Sequence, residues 1–422
     1  MNRLFDKSLR IFVLLIIIVL MAVSSLHILY IKKFAEESKV WTTRSSILCK
    51  EPIKYLPNRI HNSGTVWSES EGAFFYSAYY DFRFNYVAVI SIIPNDVTTF
   101  YCLLWFKTER SVWIVPVSPK IVPDTHKKKY YVSIYQCENP FNNSLPYAVT
   151  MTRKPCTTDF NATIKIVYNK ITYPQERHWC LSPLFRLGSN DLSESLALHR
   201  TIGIDRATIF VMSDVLKRKF DKVPWVTAIK WSLPVRDIHY YAQCAAMNDC
   251  LYRNMFTSKY MVFTDLDEIF MPRRLINNVG NPLSRSLWKD LDVIQEKYNN
   301  TLATFYAQSA LFPTPFYFKG AASLKITKRF VKRQDTRKKY IIVPDRIDFI
   351  GIHYTFPIKN YHYLYLQENV AVLHHYRRCR RPETECLGYT TAVHEMVEDK
   401  FILQLKNHLN NLINKYRNVL KL

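Results

Sequence analysis

Glycine is scarce, with eight residues in a chain of 422. None of them builds a Gly-rich phosphate loop of the Walker or Rossmann type. A nucleotide would therefore be held through side chains and metal rather than through a backbone cradle. No cysteine precedes position 49. No internal repeat, low-complexity tract or nucleic-acid-binding signature occurs. These absences exclude P-loop enzymes, dinucleotide-binding folds and solenoids, and they argue against a nucleic-acid partner.

What is present is apolar and aromatic. Hydrophobic residues make up 48% of the chain and aromatic residues 14%, enough to bury a large core in two domains. The 28 Tyr and 25 Phe favour β structure. Lys and Arg outnumber Asp and Glu by 58 to 35, a net charge of +23, which suits an anionic substrate or an acidic membrane surface.

Residues 11–31 are a continuous apolar run, and about 20 helical residues cross the hydrocarbon core of a bilayer. Arg3, Lys7 and Arg10 precede it, so the short tail 1–10 should stay cytoplasmic. The competing reading is a cleaved signal peptide with a small-residue site at Ala22-Val-Ser24. The length of the run favours an uncleaved signal anchor and a single-pass type II membrane protein. Either way the remainder is expected in the secretory lumen. All nine cysteines lie beyond the span, where disulfides are permitted, and an odd number leaves at least one thiol without a partner in the chain. Asn142, Asn161 and Asn299 head Asn-x-Ser/Thr sequons.

Residues 32–70 are polar and mixed and read as a stem. Residues 71–174 carry short β-rich runs at Phe74–Tyr80, Tyr86–Ile93, Thr98–Phe106, Ser111–Val117 and Tyr130–Gln136, which predict a small, sandwich-like accessory domain. From 175 to 422 the pattern is α/β. Helices are expected at Leu192–Ile202, Tyr240–Phe256, Pro282–Tyr298 and along the tail from Val397 to Leu420. Strands are expected at Ala207–Met212, Val226–Trp231 and Tyr260–Thr264.

The last of these strands runs straight into Asp265-Leu-Asp267-Glu268, three carboxylates within four positions. A single Asp-x-Asp after a core strand is more often a solvated turn than a site. In an open α/β sheet, however, ligands bind beyond the carboxyl ends of the strands. Asp265 and Asp267 could share a hard cation, Mn2+ or Mg2+, with a diphosphate. His353, His374 and His375 follow later strands and could complete such a site, and Arg377, Arg378, Arg380 and Arg381 could neutralise phosphate. Three classes fit: a metal-dependent transferase using a nucleotide-sugar, a haloacid-dehalogenase-like phosphatase, or an inactive lumenal glycan-binding or scaffold protein.

Several stretches together resemble glycosyltransferase family 92, formerly domain of unknown function 23. They are Ser77-Ala-Tyr-Tyr-Asp81-Phe-Arg83, Cys180-Leu-Ser-Pro183-Leu-Phe185, Gln243 with Asn248-Asp249-Cys250, Tyr260–Phe270, Lys339–Asp345 with Gly351-Ile-His353, and His375-Tyr-Arg377. The resemblance implies a GT-A fold, a type II Golgi membrane protein, and inverting transfer of galactose from UDP-galactose, with Mn2+, onto a glycan or glycoprotein acceptor. It would make Asp265 and Asp267 ligands of the metal and the diphosphate. His375, or alternatively His353, would be the further metal ligand, and Arg377 a donor-binding cation. The base that activates the acceptor hydroxyl is unassigned, with Asp345 and Glu268 as candidates.

Overall fold

The computed structural model describes residues 57, 59–96, 99–107, 111–169, 176–184, 189–274, 286–382, 384–391 and 394–420. The predicted tail 1–10, span 11–31 and most of the stem lie outside them, as does the Tyr173-Pro174 boundary. Among the described residues no helix is long and apolar enough to cross a membrane.

The first half is built from nine strands: β1 (Ser68–Ser70), β2 (Ala73–Asp81), β3 (Tyr86–Pro94), β4 (Phe100–Phe106), β5 (Ser111–Val117), β6 (Pro119–Ile121), β7 (Tyr130–Glu138), β8 (Ala148–Thr152) and β9 (Thr163–Val167). They form one sheet in the order β5-β4-β8-β9-β2-β3-β7-β6, with β1 against β2. A sandwich of two sheets is not what forms. The parallel pairing of β9 with β2 makes the two halves continuous, and the sheet curls over Phe75, Phe100, Tyr135 and Val149. The Cys102–Cys137 disulfide joins β4 to β7 across the curl. Folded structure also begins before residue 71, because β1 pairs with β2 and His61 bridges to Ile164. Asn142, Asn161 and Asn299 are all exposed.

The second half is mixed α/β. Its first strands and helices are β10 (Glu176–Leu184), α1 (Ser189–Thr201), β11 (Arg206–Val211), α2 (Asp214–Phe220), β12 (Val226–Lys230), α3 (Gln243–Asn254) and β13 (Ser258–Phe263). Then come β14 (Glu268–Pro272), α4 (Ser286–Lys297), β15 (Leu302–Leu311), β16 (Thr314–Pro315), β17 (Lys328–Phe330) and β18 (Gln334–Ile342). The hairpin β19 (Ile347–Ile350) and β20 (Thr355–Pro357), then β21 (His362–Tyr365), β22 (Ala371–His375) and finally α5 (Lys406–Leu420) complete the parts that matter here. Gly203, at φ 90°, ends α1 as the sequence predicts.

The main sheet has the order β12-β11-β10-β13-β18-β15-β22-β14. Strands β12, β11, β10 and β13 are parallel, and β18 runs against β13. Because β10 has β11 on one side and β13 on the other, the winding direction reverses between β10 and β13. Such a reversal opens a crevice at the carboxyl ends of the two strands. One face packs against α1, α4 and α5 through Leu196, Trp288, Leu409 and Ile413. The other packs against α3, whose far side meets Tyr76, Ala88, Ile90 and Ile134 of the first sheet. The Cys180–Cys250 disulfide pins α3 to β10. Cys244 on α3 is a free, buried thiol.

Candidate active site

Strand β13 ends in Thr264, which is buried and held from two sides. The Trp179 indole N–H donates to its Oγ1 at 3.0 Å, and His199 Nε2 lies 3.2 Å from the same oxygen. The chain then turns sharply. The Glu268 amide donates to the Asp265 carbonyl (3.2 Å), and the Asp265 amide donates to Glu268 Oε2 (2.9 Å). Both bonds use the Asp265 backbone, which leaves its carboxylate free for other partners. The turn pushes the Asp265 and Asp267 carboxylates outward and tucks Glu268 under. Their side chains are 43%, 34% and 2% exposed respectively.

Three strands bring partners to this turn. Strand β14 pairs with β22 so that Glu268 faces His375 across the ladder. His375 Nε2 lies 3.4 Å from Asp267 Oδ2, and its Nδ1 lies 3.7 Å from Glu268 Oε1 and 3.4 Å from Ser309 Oγ. Strand β18 brings Lys339, whose Nζ is 2.9 Å from Asp265 Oδ2 and 3.6 Å from Glu268 Oε2. From α3, the Gln243 amide donates to Ser182 Oγ (2.7 Å) and to Asp265 Oδ1 (3.4 Å). Arg377 stands 3.8 Å from Asp267 Oδ2 at the rim. Above the turn lies a cavity of about 430 Å³, lined by Ser182, Tyr240, Gln243, Asp265, Asp267 and Arg377 among others. It occupies the crevice at the switch between β10 and β13.

The electrostatics follow from burial and pairing. Burial raises the Asp267 carboxyl, but His375 and Arg377 outweigh it and hold the group below the ordinary carboxylate value. Burial pushes Glu268 up to about 7, with Lys339 opposing and Asp265 assisting. For His375, burial favours the neutral ring, yet Asp267 and Glu268 prevail and raise it.

The donor set fits a divalent cation. A carboxylate oxygen from the turn before β14 and an imidazole nitrogen from its partner strand β22, 3.4 Å apart, would suit a divalent ion such as Mn2+. Glu268 and Ser309 beside the second ring nitrogen supply the orienting contacts that ligating histidines need. Asp265 is differently placed, because Lys339 and Gln243 already engage both of its oxygens. Among the described residues His178, Cys180 and Cys250 also converge, but the disulfide consumes both sulfurs.

The other expectations are sorted by strand alternation and direction. His374 is next to His375 but points to the opposite face, with Nδ1 against the Tyr376 hydroxyl and Nε2 near Arg273. His353 sits with Nδ1 3.0 Å from the Lys338 carbonyl, close enough to Asp265 to feel its charge but not paired with it. Asp345 does not belong to the site. Strand β18 leads away from the crevice after Lys339, and Asp345 sits in the turn between β18 and β19, outside the crevice lining. There its carbonyl accepts from Arg83 of the first sheet. Glu268 is at the site but beneath it, with one oxygen fixed by the Asp265 amide, so it supports the turn rather than facing an acceptor. Lys339, Gln243 and Tyr240 were not singled out as site residues from sequence. The one available signal was that Lys339 opens an apolar run, Tyr340–Val343, that had to be buried.

The sequence profile of glycosyltransferase family 92 matches residues 179–413. Beta-1,4-galactosyltransferase galt-1 of Caenorhabditis elegans is 26% identical over 71% of this chain and 72% of its own length. Galactan beta-1,4-galactosyltransferase GALS3 of Arabidopsis thaliana is 23% identical over 56% of this chain and 47% of its own. Glucosyl-3-phosphoglycerate synthase from Mycobacterium tuberculosis, solved with Mn2+, UDP and glucosyl-3-phosphoglycerate, aligns with 58% of this chain and 80% of its own. That alignment has 10% identity and a TM-score of 0.26, too loose a likeness to bear on this site.

Proposed function

The chain belongs to glycosyltransferase family 92, and we propose that it moves galactose from UDP-galactose onto a glycan acceptor in the Golgi lumen, held there by the 11–31 anchor. The observation that carries this reading is the meeting of Asp267, His375 and Arg377 at the mouth of the switch-point crevice, with Asp265 fixed beside them. The names of the two galactosyltransferase relatives support the choice of sugar. A GT-A arrangement of the second half agrees with the parallel β12-β11-β10-β13 block and its strand-end acids.

In this reading Asp267 and His375 hold a divalent cation, which when bound stabilises the negative charge gathering on the departing diphosphate. Arg377 reaches the same phosphates from the rim as a charge-assisted donor. Gln243 and Lys339 fix the Asp265 carboxylate so that the turn does not reorganise as charge develops. Transfer breaks the bond between the sugar anomeric carbon and the phosphate oxygen. It forms one to the acceptor oxygen, whose proton leaves to a base, and attack from the face opposite the diphosphate inverts the anomeric centre.

The test is transfer by the full-length protein from UDP-galactose to a glycan panel with Mn2+ present. Asp267→Ala and His375→Ala are each expected to lower transfer by at least ~100-fold, while Asp345→Ala leaves it unchanged. Unchanged transfer by Asp267→Ala would overturn the assignment.

A further inference from the structure

Tyr240, Tyr241 and Ala242 form three successive left-handed residues immediately before α3, with φ/ψ of 42°/48°, 56°/35° and 55°/39°. Residues with a Cβ rarely enter this region singly, and a run of three persists only when its surroundings dictate it. The surroundings here come largely from the first half of the chain. The Lys129 amide donates to Asp237 Oδ2 at 3.2 Å, the Tyr130 amide donates to the Asp237 carbonyl at 3.2 Å, and Lys128 pairs with the same carboxylate at 3.1 Å. The imidazoles of His126 and His239 stack at 3.6 Å, tilted by 18°. From within the second half, the buried Trp231 donates its indole N–H to the Tyr241 carbonyl at 3.0 Å. The turn is therefore clamped on both flanks.

The clamp presents one side chain. Tyr240 is 58% exposed and lines the crevice above Asp265 and Asp267. The crevice has two chemically different ends. Arg377 and His375, on the β22 side, mark the end that takes phosphate and metal. Tyr240 lines this crevice from the turn before α3, whose Gln243 bonds to Ser182 of β10 and to Asp265, so it faces the crevice from the β10 side. A nucleoside diphosphate whose phosphates lie against Arg377 points its nucleoside towards this end. An exposed planar ring on an immobilised backbone suits a planar heterocycle, because stacking needs little further ordering.

We infer that Tyr240 is the stacking platform for the nucleobase of the donor, and that the strained turn exists to hold its ring in place. The inference rests on the transferase reading and deepens it. The first half of the chain thereby acquires a role in donor binding, since the loop from His126 to Tyr130 braces the turn.

The experiment is calorimetric titration of the full-length protein with UDP, and separately with inorganic pyrophosphate, both with Mn2+. Tyr240→Ala is expected to weaken UDP roughly tenfold or more and to leave pyrophosphate unaffected. Tyr240→Phe, which keeps the ring, is expected to bind UDP as wild type does. Equal UDP affinity in Tyr240→Ala and wild type overturns this inference alone. Equal losses for UDP and pyrophosphate in Tyr240→Ala also overturn it, because the effect then lies at the phosphates. A wild-type protein that binds no nucleoside diphosphate overturns the transferase reading and this inference with it.

Discussion

Lys339 and Asp267 lie on either side of the same turn but answer to different physics. Lys339 is 3% exposed, and its ammonium is held between Asp265 and Glu268. Burial alone would favour the neutral amine, but the two carboxylates outweigh it and keep the charge in place. Replacing it with Met leaves Asp265 and Glu268 without their shared cation, so Glu268 takes up a proton, a change expected to cost ~1–3 kcal/mol. The Lys339→Met variant should therefore show a clear fall in denaturant midpoint. Asp267 is a third exposed and faces the crevice. Asp267→Asn should lose less stability than Lys339→Met in the same measurement, because the Asp267–His375 pair lies at the crevice mouth, while Mn2+-dependent UDP binding is lost. If Asp267→Asn proved the destabilised variant and Lys339→Met the silent one, the division into ligand and support would be wrong.

At the scale of elements, α3 connects folding to the site. It is tied to β10 by Cys180–Cys250, and it carries Gln243 on its first turn. The bridge spans 70 residues of sequence, and closing a loop of that length in the unfolded chain is worth about 4 kcal/mol. The Cys180→Ala/Cys250→Ala double variant is expected to lose most of that in non-reducing denaturation. It should also bind UDP more weakly, because Gln243 is no longer anchored. Loss of stability with fully retained UDP affinity would uncouple the helix from the site. These elements also show what the sequence could and could not reveal. Strand β13 was legible because Tyr260–Phe263 is apolar and stops at three carboxylates. His375 was legible because it ends another apolar strand. Helix α3 was expected to begin at Tyr240 but begins at Gln243, since nothing in Tyr-Tyr-Ala announces a left-handed turn imposed by distant partners. The apolar run after Lys339 shows that it is buried, but only the β13–β18 register, with Phe263 opposite Tyr340, sets it beside Asp265. Strands β8 and β9 are not legible in the sequence, being five-residue segments separated by a polar loop around Lys154-Pro155-Cys156. Their pairing with β4 and β2 is what makes the first sheet continuous.

The molecule as a whole should lose stability as the pH falls below neutrality. Burial depresses His178, His199 and His374 to about 3 each, with Arg206 assisting at the first and Arg273 at the third. A histidine in the unfolded chain takes a proton near 6.5, whereas these three stay neutral when folded. Their contribution is fully present above pH 6.5 and is lost progressively as the pH falls towards 3. Glu268 acts in the opposite direction. Its folded value of about 7 lies above the unfolded 4.5, so between those limits the folded state holds a proton that the unfolded state does not. The imidazoles that take up protons on unfolding outnumber the groups that release them: His353, His61 and His239 are also lowered and add to the uptake, while His375, which is raised, opposes it alongside Glu268. The net charge of +23 adds self-repulsion that grows as further groups protonate, so moderate salt should be present to isolate the titration. Denaturant unfolding at pH 7, 6 and 5 is then expected to show a fall that steepens below 6.5. Replacing Glu268 with Gln removes one of the opposing groups and should make the fall steeper. A stability that stays flat or rises between pH 6.5 and 5 would mean that the three imidazoles are not held neutral in the folded protein.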